Sequence, residues 1–170
     1  MSKRVRQYIG ILAAVVAYYI VHEGAHLLYA LSAGVFRKIN FIGLGVQVDV
    51  YAERMTDTQL GVFCLVGAVS TFAVGYILVL LARTVCRAKS AVLRASVYYI
   101  TIAFLLLDPL YLSVLCGLFG GGDMNGISLL CPEWAARCLA GALLVVNVPV
   151  FLKLVLPVYK KSFSEQPAEA

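Results

Sequence analysis

The chain has 170 residues, of which 62% are hydrophobic and 14% are charged, and its mean hydropathy is +0.90. Ordinary globular domains are close to half apolar, so this composition excludes a soluble globular protein and indicates a membrane protein. The formal net charge of +5 comes from basic residues that flank apolar runs, and it therefore gives no indication of nucleic-acid binding.

Four apolar segments are long enough to cross a hydrocarbon core of about 30 Å, which requires roughly 20 helical residues. They cover residues 8–33, 59–82, 91–119 and 134–156. We therefore predict an all-α polytopic membrane protein with about four transmembrane helices, formed by a single membrane-embedded domain over residues 1–161. Residues 162–170 are polar, and we expect them to form a loose tail.

The first segment follows Lys3, Arg4 and Arg6, as the apolar part of a secretory signal would. Its apolar run is too long for a signal, and no small-residue cleavage site ends it before its polar motif, so we expect a retained helix. If four helices alternate, most Lys and Arg residues fall on the side of both termini. The positive-inside rule then places both termini in the cytoplasm. The small size suggests a prokaryotic plasma membrane.

The connection between the first two helices contains a pattern typical of a strand. Val46, Val48 and Val50 alternate with more polar residues, which is the period of a half-buried strand, and Gly43 and Gly45 precede them. We therefore expect a short β-hairpin or strand after helix one.

The connection after the third helix contains GGGDMNGI, residues 120–127. Consecutive glycines break a helix, and irregular backbone at membrane depth persists only where protein buries it or water reaches it. This segment therefore predicts a cavity or a site.

The sequence HEGAH, residues 22–26, places two histidines and a glutamate inside the first apolar segment. On a helix, His22 and His26 share one face, so both imidazoles can bind one metal ion while Glu23 lies beside it to act on water. A charged side chain at the centre of a membrane helix costs about 2.5–3.5 kcal/mol, so chance placement is a poor explanation. The motif predicts a zinc site.

Catalytic zinc usually has three protein ligands, so the two histidines need a third, and two aspartates are candidates. Asp108 lies at a similar depth to His22, counted along helices three and one from the cytoplasmic side. Asp123 follows a glycine turn that could bend it toward the metal. Asp108 has a competing role, because an acid before Pro109 could bond backbone groups freed at a kink. The residues alone leave both candidates open.

The motifs together resemble the site-2 protease family of intramembrane zinc metalloproteases. The resemblance covers residues 8–128: H-E-x-x-H in an early membrane helix, a strand-forming connection, a glycine-rich second helix and a later Asp in a glycine-rich segment. It implies that His22, His26 and Asp123 bind zinc, with Asp108 as the alternative third ligand, and that Glu23 is the catalytic base. The family commonly has L-D-G at the third ligand, where this chain has D-M-N-G.

The resemblance implies a zinc metalloendopeptidase that hydrolyses peptide bonds in transmembrane segments of membrane proteins, with the lipid bilayer as its surroundings. One alternative is a proton or metal-ion relay or transporter, which would need polar groups spaced across the whole bilayer. Another is a non-catalytic membrane scaffold that retains the fold. A scaffold would have no need of Glu23.

Overall fold

The computed structural model describes residues 2–43, 45–118 and 122–165, and four of its helices are long and apolar enough to cross a membrane. The first two are α1 (Lys3–Ser32) and α2 (Asp57–Val85). The third span consists of α3 (Ala91–Leu110) and a π-helical turn (Tyr111–Leu115). The fourth consists of α5 (Glu133–Val150), a second π-helical turn (Phe151–Val155) and α6 (Leu156–Glu165). The predicted fold class is confirmed.

A two-stranded antiparallel hairpin, β1 (Phe36–Ile42) and β2 (Gly45–Val50), follows α1. The predicted hairpin is therefore confirmed. Gly43 adopts a φ of +60° at the turn, a conformation that glycine reaches without steric cost. Ile39 pairs with Val48, whose side chain is buried. A short 3-10 turn (Ala52–Arg54) leads from the hairpin towards α2.

The segment after the third span forms a short helix, α4 (Asp123–Ile127), that packs against α2. Gly122 precedes α4 with a φ of +44°. A Cβ atom on Gly126 would lie 2.8 Å from the Cβ atom of Cys64, and one on Gly61 would lie 3.1 Å from the Gly126 carbonyl oxygen. These two glycines therefore let α4 approach α2 closely and fix the position of Asp123. Residues 119–121, which include Gly120 and Gly121 of the glycine run, lie outside the described residues.

Pro109 lies inside α3 and deprives the Leu105 carbonyl of its usual helical N–H donor. The buried Asn147 of α5 replaces that donor, because its side-chain amide donates to the Leu105 oxygen over 2.7 Å. The Asn147 side-chain oxygen accepts a hydrogen bond from the Tyr76 hydroxyl of α2 at 2.6 Å. One amide thus connects three helices at the proline.

The C-terminal helix continues past the predicted end of the domain. α6 extends to Glu165, and the buried Ser162 hydroxyl donates to the Cys86 carbonyl over 3.1 Å. Residues 162–165 are therefore helical rather than a loose tail, because Ser162 packs against the end of α2. The remaining residues, 166–170, lie outside the described part of the chain.

Replacing Asn147 with Leu should lower the free energy of unfolding by about 1–3 kcal/mol, because it leaves the Tyr76 hydroxyl and the Leu105 carbonyl without their partners in an apolar interior. Thermal unfolding in detergent, followed by circular dichroism, measures the loss. Replacing Pro109 with Ala restores a backbone donor to Leu105, so Asn147→Leu should cost less in that background. If Asn147→Leu lowers the free energy of unfolding equally with Pro109 and with Ala at that position, the loss does not come from the Leu105 carbonyl.

Candidate functional site

The histidines and the glutamate of HEGAH form a cluster on α1. One ligand atom from each of His22, Glu23 and His26 lies within 4.8 Å of the others. Both imidazoles are buried, with 6% of His22 and 3% of His26 exposed. The helical spacing of four residues brings both rings to one face, as the sequence predicted.

Asp123 reaches this cluster from α4. Its Oδ2 atom lies 3.1 Å from Nε2 of His22 and 3.7 Å from Nε2 of His26. Ligand atoms about 2.1 Å from a tetrahedral zinc ion lie about 3.4 Å apart, so these spacings suit one zinc ion shared by the three residues. Two imidazoles and a carboxylate are also a donor set that zinc accepts in catalytic sites.

The second nitrogen of each imidazole lies near a different helix. Nδ1 of His26 is 2.7 Å from the Phe63 carbonyl oxygen of α2, so Nδ1 is the donor of this hydrogen bond. Nδ1 of His22 lies 3.4 Å from Oδ1 of Asp108 in α3. Such outer partners fix the ring orientation and raise the basicity of a ligating histidine. Both rings therefore present Nε2 toward Asp123.

Asp108 is buried behind His22 rather than beside the Nε2 atoms. Its carboxylate accepts hydrogen bonds from the hydroxyls of Tyr18 in α1 and Thr71 in α2, and it faces Nδ1 of His22. The geometry therefore places Asp108 beside Nδ1 of His22 and brings Asp123 to the Nε2 atoms of both imidazoles. The sequence also suggested that Asp108 bonds backbone groups freed by Pro109. Asn147 takes that role, because its side-chain amide donates to the freed Leu105 carbonyl.

Gly67 of α2 leaves the space in which the two imidazoles meet. A Cβ atom at this position would lie 2.5 Å from Nε2 of His26 and 2.7 Å from Nε2 of His22. Any larger residue would therefore press on both nitrogens at the point where they converge.

Glu23 lies between the histidines and the hairpin. Its Oε2 atom accepts a hydrogen bond of 3.0 Å from the backbone N–H of Val48 in β2. A cavity of about 580 Å³ contains this carboxylate and both imidazoles, and its wall includes polar and apolar groups. The other residues that line it are Tyr18, Val46, Gln47, Val48, Phe63, Cys64, Asp108, Tyr111, Gly122, Asp123 and Asn125.

The electrostatics of Asp123 favour its ionised form. Burial raises the pKa of this carboxyl, but its contacts with His22 and His26, and the positive charge that these rings carry when protonated, outweigh burial and lower the pKa to about 2. The carboxyl is therefore ionised at neutral pH, which is the state a metal ligand requires.

Sequence reasoning missed several groups that contact the cluster: Tyr18, Gly67, Thr71, the Phe63 carbonyl and the Val48 N–H. The position of Tyr18 could have been inferred, because it lies four residues before His22 and therefore on the same helix face. In the structure its ring stacks on that imidazole, with centroids 5.0 Å apart. Gly67 and Thr71 belong to the glycine-rich second helix, where small residues indicate close helix packing and do not by themselves indicate a site. The Phe63 carbonyl and the Val48 N–H are backbone groups, so the side-chain pattern of the sequence could not indicate them.

Comparisons of the chain with family models, with curated proteins and with solved structures found no match. The description of this protein therefore rests on its own fold and site. The chain has four helices suited to crossing a membrane, and two buried histidines, a half-buried glutamate and two aspartates come together among its helices.

Replacing Gly67 with Ala should abolish zinc retention, because the added methyl group occupies the space where the two Nε2 atoms converge. Gly24→Ala is the matched control, since a Cβ atom on Gly24 meets nothing within 4 Å. Zinc content per protein, measured by mass spectrometry of the metal after gel filtration, separates the two variants. Equal zinc in both would refute this description of the site.

The two aspartates should differ in their effect on the metal. Asp123→Asn removes a ligand charge and should leave the purified protein without zinc. Asp108→Asn should keep zinc but weaken its affinity about 10–100-fold, as loss of an outer partner does. Competition with a chelator measures both affinities. If Asp108→Asn loses zinc and Asp123→Asn only binds it more weakly, Asp108 is the third ligand.

Proposed function

We propose that this protein is an intramembrane zinc metalloprotease of the site-2 protease type, which hydrolyses peptide bonds in transmembrane segments of membrane proteins. The observation that carries the proposal is the convergence of Nε2 of His22, Nε2 of His26 and Oδ2 of Asp123 within apolar helices, with Glu23 beside them. A metal-binding motif alone would support a structural site equally well. The adjacent carboxylate and the open cavity favour catalysis.

His22, His26 and Asp123 would hold the zinc ion, with Asp108 and the Phe63 carbonyl orienting the two imidazoles. When bound, zinc would supply Lewis acidity, which makes water more acidic and polarises a carbonyl oxygen. Because three protein ligands leave one tetrahedral position free, the donor set suits a catalytic site better than a closed structural one.

Glu23 would act as the general base and then as the general acid. Its carboxylate would take a proton from the attacking water and return it to the nitrogen of the leaving amine. Water must reach this carboxylate through an otherwise apolar bundle. The cavity of about 580 Å³, lined in part by polar groups, offers that access.

The outer edge of β2 would bind the substrate backbone. A transmembrane helix hides its carbonyl groups in its own hydrogen bonds, so a substrate must unwind before attack. The Val48 N–H points toward Glu23 and therefore away from β1. Because strand N–H groups alternate in direction, the Val46 N–H lies on the same edge. An unwound segment could pair with this edge as an added strand.

The four apolar helices support a multi-pass membrane protein, the small size suggests a prokaryotic plasma membrane, and the distribution of basic residues favours both termini in the cytoplasm. α1 starts at Lys3 and ends at Ser32, so His22 lies about 28 Å along the helix from its start and about 15 Å from its end. With this orientation, the catalytic cavity would open toward the outer half of the bilayer.

Replacing Glu23 with Gln should keep zinc bound and reduce cleavage of model transmembrane substrates at least about 100-fold, because general acid–base catalysis typically contributes 100-fold or more. Purified protein reconstituted in liposomes with a panel of such substrates provides the assay. Glu53→Gln is the control, since it makes the same change at an exposed glutamate.

Undiminished cleavage by Glu23→Gln would exclude the proposed mechanism. A zinc-loaded wild type that cuts nothing but carries protons or metal ions across the liposome membrane would favour the relay. If it does neither, and Glu23→Gln behaves as wild type in cells, the scaffold alternative is correct.

A further inference from the structure

A second cavity, of about 310 Å³, lies at the end of the molecule where α1 and α3 begin and α6 ends. Lys3 and Arg6 of α1 and Lys160 of α6 line it, and no acidic side chain lines it among the described residues. The metal-binding motif lies far along α1 from this cavity. The two sites are therefore independent.

The cations around this cavity are held close together. The guanidinium carbon of Arg6 lies 5.1 Å from the centre of the Phe163 ring, and that of Arg94 lies 5.6 Å from the same ring. Arg94 is 1% exposed, and its Nη1 atom donates to the Ala88 carbonyl over 2.7 Å. Two guanidinium groups thus share one aromatic ring.

Among the described residues, nearby acids do not balance the charges of Lys3, Arg6 and Lys160. Glu165, on the same helix as Lys160, forms its ion pair with Lys161, with Nζ and Oε1 3.7 Å apart. Within the described ranges, Lys3, Arg6 and Lys160 form no ion pair with any carboxylate. Like charges held around one concavity repel each other, and an anion inside the cavity would offset that repulsion.

The surroundings of the cavity decide what kind of anion suits it. The helices that line it are apolar enough to cross a membrane, and their basic ends belong at the level of the lipid headgroups. Tyr98, Tyr99 and Leu156 add aromatic and apolar wall to the cations. A phosphate that carries acyl chains would contact both kinds of surface, whereas free phosphate would contact only the cations.

We propose that this cavity, lined by Lys3, Arg6 and Lys160 and backed by Arg94, binds the phosphate group of an anionic phospholipid. Basic pockets between membrane helices on the cytoplasmic side are suited to such headgroups. The proposal does not depend on proteolysis. Its test therefore needs no substrate.

Native mass spectrometry of the full-length protein, titrated in mild detergent with phosphatidylglycerol, tests the proposal. Wild type should retain phosphatidylglycerol in preference to phosphatidylcholine. Arg6→Gln combined with Lys160→Gln should weaken that binding at least about tenfold. Arg4→Gln combined with Arg87→Gln is the matched control, because it removes the same charge from the same end of the molecule but from outside the cavity.

Lys3→Gln serves as a second test, because Lys3 is exposed and its replacement should leave the fold intact. It should weaken phosphatidylglycerol binding with unchanged helicity by circular dichroism. Equal losses in the two double variants would overturn the proposal in favour of diffuse surface charge. Equal retention of both lipids by wild type would overturn it as well. Displacement of phosphatidylglycerol by equimolar inorganic phosphate would make free phosphate the ligand and overturn the assignment to lipid.

Discussion

The cost of burying polar side chains in apolar helices is the main constraint on this structure. His22 and His26 lie within an apolar helix, where an unpaired polar group is costly. Polar groups from three other segments lie against them: the Phe63 carbonyl of α2, Asp108 of α3, whose carboxylate is 3.4 Å from Nδ1 of His22, and Asp123 of α4. The motif on one helix therefore determines which helices must be its neighbours.

Close approach of backbones makes these partnerships possible. Gly67 leaves room for two imidazoles against α2, and the pair Gly61 and Gly126 brings α4 near enough for Asp123 to reach them. In lipid, where apolar surfaces gain little by leaving their surroundings, small residues are a principal source of tight helix contact. Here the same residues that bring the helices together also shape the space between the proposed ligands.

The sequence predicted features that depend on local pattern: four long apolar helices, the hairpin after α1, and the common face of His22 and His26. It left open the choice between Asp108 and Asp123 for a physical reason. In the structure both carboxylates lie near His22, that of Asp108 at Nδ1 and that of Asp123 at Nε2. Which aspartate faces Nδ1 and which faces Nε2 depends on how α3 and α4 pack, and no spacing in the chain encodes that. The helical continuation to Glu165 likewise depends on a contact between Ser162 and the distant Cys86.

The hydrogen bond between the Val48 N–H and Glu23 joins the strand edge to the glutamate. One N–H group cannot donate fully to both the Glu23 carboxylate and the carbonyl of an added strand. A polypeptide that pairs with β2 at Val48 would compete for that donor and release an oxygen of Glu23. Occupation of the strand edge and availability of the carboxylate would thus occur together, because both require this one hydrogen bond to break. The hairpin would then couple recognition of a backbone to activation of the base, and no moving domain would be required.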